Sequence, residues 1–163
     1  MNTLIVNVIA SLVVFAAAYA WLLKPVLPEL DPRKVLVAVL LLHSFRHLGL
    51  MFLTTGVTLP TMPWQFAIPA AAGDTLAAAL ALMAALLLMR GSRWAIPMVW
   101  TFTVVGLVDF AAAIALSRIF RAADHMGGSY WIPSFLVPLL IMGHWVVIVV
   151  LLRLRKEQAR SKH

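Results

Sequence analysis

Five apolar runs, each long enough to cross a bilayer as a helix, constrain this chain more than any other feature. A membrane-spanning helix needs about 20 consecutive apolar residues, and the sequence offers such runs over residues 3–23, 35–55, 66–89, 94–116 and 132–152. Inside lipid every backbone N–H and C=O must find a partner within the segment, which makes helices of such runs. The expected fold is an all-α integral membrane protein, a single domain built as a bundle of five transmembrane helices. With 163 residues, 63% hydrophobic and 12% charged, the chain has little left over for a second domain.

The segments between the runs read as connections at the membrane surface. Glu29 to Lys34 is a short polar linker, and Gly56 to Gln65 carries Pro60, Pro63 and the interfacial Trp64. Arg90-Gly91-Ser92-Arg93 is a tight basic turn. A loop with Arg118, Arg121, Asp124, His125 and Gly127-Gly128 precedes Tyr130 and Trp131, and residues 153–163 form a basic tail. Ala18-Tyr19-Ala20 imitates a signal-peptidase site, but Met1-Asn2-Thr3 supplies no positive charge before it, so the first run is expected to stay as a helix.

Lysine and arginine set the orientation, because cytoplasmic loops carry the excess of both. The 24–34 linker, the 90–93 turn and the tail hold ten of them, against only Arg118 and Arg121 on the opposite side. The expectation is a multi-pass protein of the cell inner membrane with its N-terminus outside and a cytoplasmic C-terminus. The net charge of +7 is explained by this topology, and a nucleic-acid partner is not expected. The absence of Cys removes disulfides, thiolate metal sites and cysteine-attached haem.

Against this apolar background the ionisable residues inside the runs are conspicuous. His43-Ser44-Phe45-Arg46-His47 interrupts the second run, Asp74 the third, Asp109 the fourth and His144 the fifth. At α-helical spacing, positions i, i+3 and i+4 share a face, which would point His43, Arg46 and His47 the same way. At about 1.5 Å per residue, His47, Asp74 and Asp109 fall about 12 Å below the outer surface, and His43 and His144 about one turn deeper. Charged groups at such depths are costly and mark functional sites. Arg46 offsets only one of the two carboxylates, so about one negative charge calls for a metal ion, a proton or a cationic ligand.

The leading reading is a metal site of His43, His47, His144 and one or both of Asp74 and Asp109, a nitrogen and oxygen set suited to zinc, iron or manganese. The protein would then be a membrane-embedded enzyme acting on a small or lipid-soluble molecule. Asp74 and Asp109 would be the catalytic carboxylates, and Arg46 and Trp145 would contact the substrate. In a second reading the same buried charges serve non-catalytic transport or proton- or ion-coupled binding, in a chain so small that a homo-oligomer is expected. A third has b-type haem held between His144 and His43 or His47, with Arg46 on a propionate. A fourth is structural: Arg46 pairs with Asp74 and Asp109 while the imidazoles hydrogen-bond within the bundle.

The His-Ser-Phe-Arg-His helix, Gly73-Asp74, the mid-helix Asp109 and the late His144 resemble small, uncharacterised bacterial multi-pass inner-membrane proteins. That resemblance covers the whole chain and implies no activity. In size and helix number the chain is also similar to five-helix translocator-type proteins and sterol-isomerase-like membrane domains, an analogy of architecture alone.

Overall fold

The computed structural model describes residues 3–160. Among them the chain is helical apart from short connections, without a β-strand. Five helices are long and apolar enough to cross a membrane: α1 (Thr3–Val26), α2 (Pro32–Leu53), α3 (Trp64–Met89), α4 (Ala95–Ile119) and α5 (Gly127–Glu157). This architecture fits a multi-pass membrane protein. Residues Met1, Asn2 and Ser161 to His163, which include Lys162 of the basic tail, lie outside the described residues.

Local chemistry explains where the helices start and bend. Asp31 caps α2, its side chain accepting the Arg33 N–H at 2.8 Å, and Pro32 follows in the first turn where no N–H is needed. In α1, residues Tyr19–Leu23 widen into a π turn just ahead of Pro25. A proline lacks an N–H and crowds the carbonyl four residues back, and a wider turn relieves that crowding.

The same device recurs in α5, where Ile132–Leu136 is a π turn and Pro138 leaves the Ser134 carbonyl without its helical donor. Ser11 of α1 fills the gap, its hydroxyl donating to Ser134 O at 2.7 Å. The N-terminal half of α1 thus rests on α5 through a hydrogen bond to a carbonyl that a proline freed.

Helix α3 is the central element, packing along both α2 and α4. Its Ala77, Ala81 and Ala85 recur every four residues and are buried, which lets neighbouring backbones come close. The core divides into two apolar layers. One holds Leu36, Leu40, Ala81, Val99, Phe102 and Val147, and the other Phe52, Phe66, Ala70, Phe110, Ile132 and Leu140. Between the layers lie the buried His43, Arg46 and His144 and the partly buried carboxylates of Asp74 and Asp109.

Candidate functional site

Helix α2 does not keep one pitch. It is α-helical over Pro32–Ser44 and tightens to a 3₁₀ helix over Phe45–Leu53. A 3₁₀ helix has three residues per turn, so side chains three apart stand in one column. That column is His43, Arg46, Gly49 and Phe52, all buried. A run of nine residues is long for this conformation, which favours short pieces.

Arg46 is the centre of the site. Its side chain is fully buried, and its guanidinium bridges three helices. Nε donates to Asp74 Oδ1 of α3 at 2.9 Å, Nη2 to Asp109 Oδ2 of α4 at 2.5 Å, and Nη1 to the Gly106 carbonyl of α4 at 3.2 Å. The guanidinium carbon also lies 3.8 Å from the centre of the Phe110 ring, a cation–π contact. Each of the three guanidinium nitrogens thereby donates one hydrogen bond, using three of its five N–H groups.

Glycines make this convergence sterically feasible. A Cβ on Gly49 would collide with the Asp74 carboxylate, and one on Gly73 with that of Asp109. A Cβ on Gly106 would lie 2.8 Å from His144 Nε2 and 3.0 Å from Arg46 Nη1, and one on Gly143 2.7 Å from His43 Nε2. Every buried polar side chain of the layer therefore abuts a neighbouring backbone at a point where only hydrogen fits.

His43 and His144 pack against each other on the far side of Arg46, ring centroids 4.4 Å apart and tilted by 55°. Phe102 lies 4.9 Å from each ring, and Phe110 meets His144 edge-on at 5.7 Å. Both imidazoles are buried, and none of their four nitrogens has a hydrogen-bond partner among the described residues. Each imidazole carries at least one donor, and leaving buried polar groups unpaired costs about 1–3 kcal/mol apiece.

Asp74 also opens onto a cavity of about 630 Å³. Its walls are apolar, contributed by Ile5, Val8 and Ile9 of α1, Phe66 and Ala70 of α3, Phe110 and Ala113 of α4, and Ile132, Val137 and Ile141 of α5. Arg118, Arg121 and Asp124 lie at its rim. Arg121 pairs with Asp124 at 3.1 Å and takes a left-handed backbone with φ 53°, whereas Arg118 has no partner among the described residues. Ligand pockets of about 300–1,000 Å³, mostly apolar with a few polar groups, are the usual form of small-molecule sites.

The structure brings together five of the residues singled out by sequence: His43, Arg46, Asp74, Asp109 and His144. Two stand apart. His47 is exposed, its Nδ1–H donating to the Ser44 carbonyl at 2.8 Å. Expecting it on the Arg46 face presumed an α-helical repeat of 3.6, and the tightening at Phe45 turns it outward. Trp145 is 51% exposed and points away from the bundle, so it forms no part of the pocket.

The donor set anticipated for a metal is not gathered either. No three His, Asp or Glu side chains among the described residues form a group able to hold an ion, because Arg46 takes an oxygen of each carboxylate and stands between them and the imidazoles. Of the two pairings anticipated for haem, His43 with His144 would need a porphyrin between rings whose centroids lie 4.4 Å apart, and His47 with His144 involves an exposed imidazole outside the layer. Sequence reasoning missed Phe102, Phe110 and the glycine contacts. The adjacency of Gly73 to Asp74 and of Gly143 to His144 was the available signal.

Charge balance gives the first prediction. Removing one partner of a buried ion cluster costs about 3–5 kcal/mol, because the other charges are left without compensation. Arg46→Gln is expected to lower thermal stability in detergent by that order. Adding Asp74→Asn and Asp109→Asn to it is expected to restore most of the loss, as read by the unfolding midpoint of the three-site variant.

No curated protein and no solved structure matches this chain. A family described as a domain of unknown function (DUF8737) matches it over residues 3–152, a range that takes in all five helices up to the last turns of α5 and every residue of the polar layer. The chain belongs to that uncharacterised family.

Proposed function

We propose that this protein is a multi-pass inner-membrane protein that binds a lipid-soluble small molecule in the cavity, coupled to the buried charge cluster, without covalent catalysis. The observation that carries the reading is the double membership of Asp74. It is an ion-pair partner of Arg46 and at the same time the carboxylate that the cavity presents to a ligand. Apolar walls select a lipophilic body, and Asp74 selects a hydrogen-bond donor or a cation on it.

The placement of the other polar groups favours binding over bond-making. Both carboxylates of the layer are engaged by Arg46, and the imidazoles sit behind it against Phe102, away from the cavity lining. Arg118 is nine residues along α4 from Asp109, or about 13 Å at helical rise.

The excess of Lys and Arg in the 24–34 linker, the 90–93 turn and the C-terminal segment supports an N-terminus outside and a C-terminus in the cytoplasm. The cavity, between the outer ends of α1, α3, α4 and α5, then faces the outer half of the bilayer. Because the chain has no native Cys, single cysteines report this directly. Thr61→Cys is expected to react with a membrane-impermeant maleimide in intact cells, and Ser92→Cys only after permeabilisation. The reverse pattern would invert the topology.

The binding reading is tested with 1-aminoanthracene, a fluorescent lipophilic amine. Saturable binding to the detergent-purified protein is expected. Ala113→Phe, which fills the cavity from α4, is expected to weaken it at least about tenfold, equivalent to about 1.4 kcal/mol. Equal affinity of the wild type and Ala113→Phe would place the probe elsewhere.

A further inference from the structure

Resting on the cavity as a binding site, we propose that Asp74 exchanges a proton for a lipophilic organic cation, so that ligand uptake and proton release are one event. The inference starts from charge. Arg46 contributes one positive charge to the layer and Asp74 with Asp109 two negative ones, and a desolvated cluster with an uncompensated charge is strongly disfavoured. One more positive charge has to reside there when no cation is bound, and a proton supplies it.

Geometry says where that proton sits. Each carboxylate gives one oxygen to the guanidinium, Asp74 Oδ1 and Asp109 Oδ2, and keeps one without a donor among the described residues. Both free oxygens lie against a glycine backbone, Asp74 Oδ2 at Gly49 and Asp109 Oδ1 at Gly73, but the other oxygen of Asp109 makes the shorter contact with Arg46. Asp74 is the carboxylate that lines the cavity. A proton on its free oxygen can leave to solvent, and a cation in the cavity can take over its charge.

The surrounding groups are consistent with this assignment. From α2, Arg46 faces Asp74, with His43 one turn deeper and His47 turned outward. Asp109 comes from α4 and His144 from α5, while α1 brings the apolar side chains of Leu4, Ile5, Val8 and Ile9 to the cavity. An imidazolium at His43 or His144 would lie directly behind the guanidinium, where like charges repel, so the carboxylate is the better proton site. At the rim Arg121 is neutralised by Asp124. The exposed Arg118 lines the same cavity and opposes a cation, which favours the bound charge at the Asp74 end.

The exchange balances. A neutral layer, Arg46⁺, Asp109⁻ and protonated Asp74, loses one proton to solvent and gains one monovalent cation, and stays neutral. Anions and neutral molecules of the same shape leave the proton in place.

The test uses tetraphenylphosphonium, whose charge does not titrate, and neutral triphenylphosphine oxide as a probe of similar bulk. In weakly buffered detergent solution the phosphonium is expected to release about one proton per bound molecule. Its affinity is expected to rise about tenfold per pH unit on the acid side and to level off once Asp74 is ionised. The oxide is expected to bind with no proton release and no pH dependence. Asp74→Asn leaves Arg46 and Asp109 balanced, and Asp109→Asn does the same for Arg46 and Asp74. Both variants are therefore expected to abolish release and the preference for the phosphonium while still binding the oxide. Phosphonium bound by the wild type without proton release and independently of pH would overturn the exchange and leave the cavity reading standing. Binding of neither probe would overturn both.

Discussion

One guanidinium shared between two carboxylates on different helices is the interaction on which this structure depends. Arg46 ties α2 to α3 through Asp74 and to α4 through Asp109 and the Gly106 carbonyl. The cost is considerable, since buried ion pairs are often no more stabilising than hydrophobic residues of the same volume. A cluster that joins helices at such expense, and still leaves a charge over, is better explained by what that charge does than by stability.

The rest of the polar layer is arranged around making room for it. A 3₁₀ repeat in α2 keeps His43, Arg46 and Gly49 in one column facing the bundle, where an α-helical pitch would rotate Gly49 away. Four glycines let carboxylates and imidazoles lie against neighbouring backbones. The alanine stripe of α3 then closes one half of the bundle tightly, leaving the cavity in the other half, where α1 leans on α5. His43 and His144, whose ring nitrogens have no partner among the described residues, extend the polar layer beyond Arg46 and end against Phe102 of the apolar layer.

Much of this was legible in the residues themselves. Run length alone specified five helices, because lipid admits little else, and the shared depth of His43, Arg46, Asp74, Asp109 and His144 pointed to one layer. Which of those residues bond to one another was not legible. A metal centre and an ion-paired layer need the same residue types at the same heights, and only the rotation of each helix distinguishes them. The pitch of α2 was equally hidden. His43, Arg46 and His47 fit an α-helical face as well as His43, Arg46 and Gly49 fit a 3₁₀ column, and tertiary packing decides between them. Trp145 illustrates the same limit, since adjacency to a buried His144 on a helix means facing about 100° away from it.

The account comes down to one proton held in a layer that would otherwise carry a net charge. Of the six acidic side chains, Glu29, Asp31, Asp124 and Glu157 are exposed, which leaves only Asp74 and Asp109 in the layer. Infrared difference spectroscopy of the carboxylic-acid C=O stretch at neutral pH reads this state directly. The account predicts one protonated carboxyl band in the wild type, lost in both Asp74→Asn and Asp109→Asn because either variant balances Arg46 with a single carboxylate. A wild type with no such band, or single variants that keep it, would contradict the charge balance from which the function is argued.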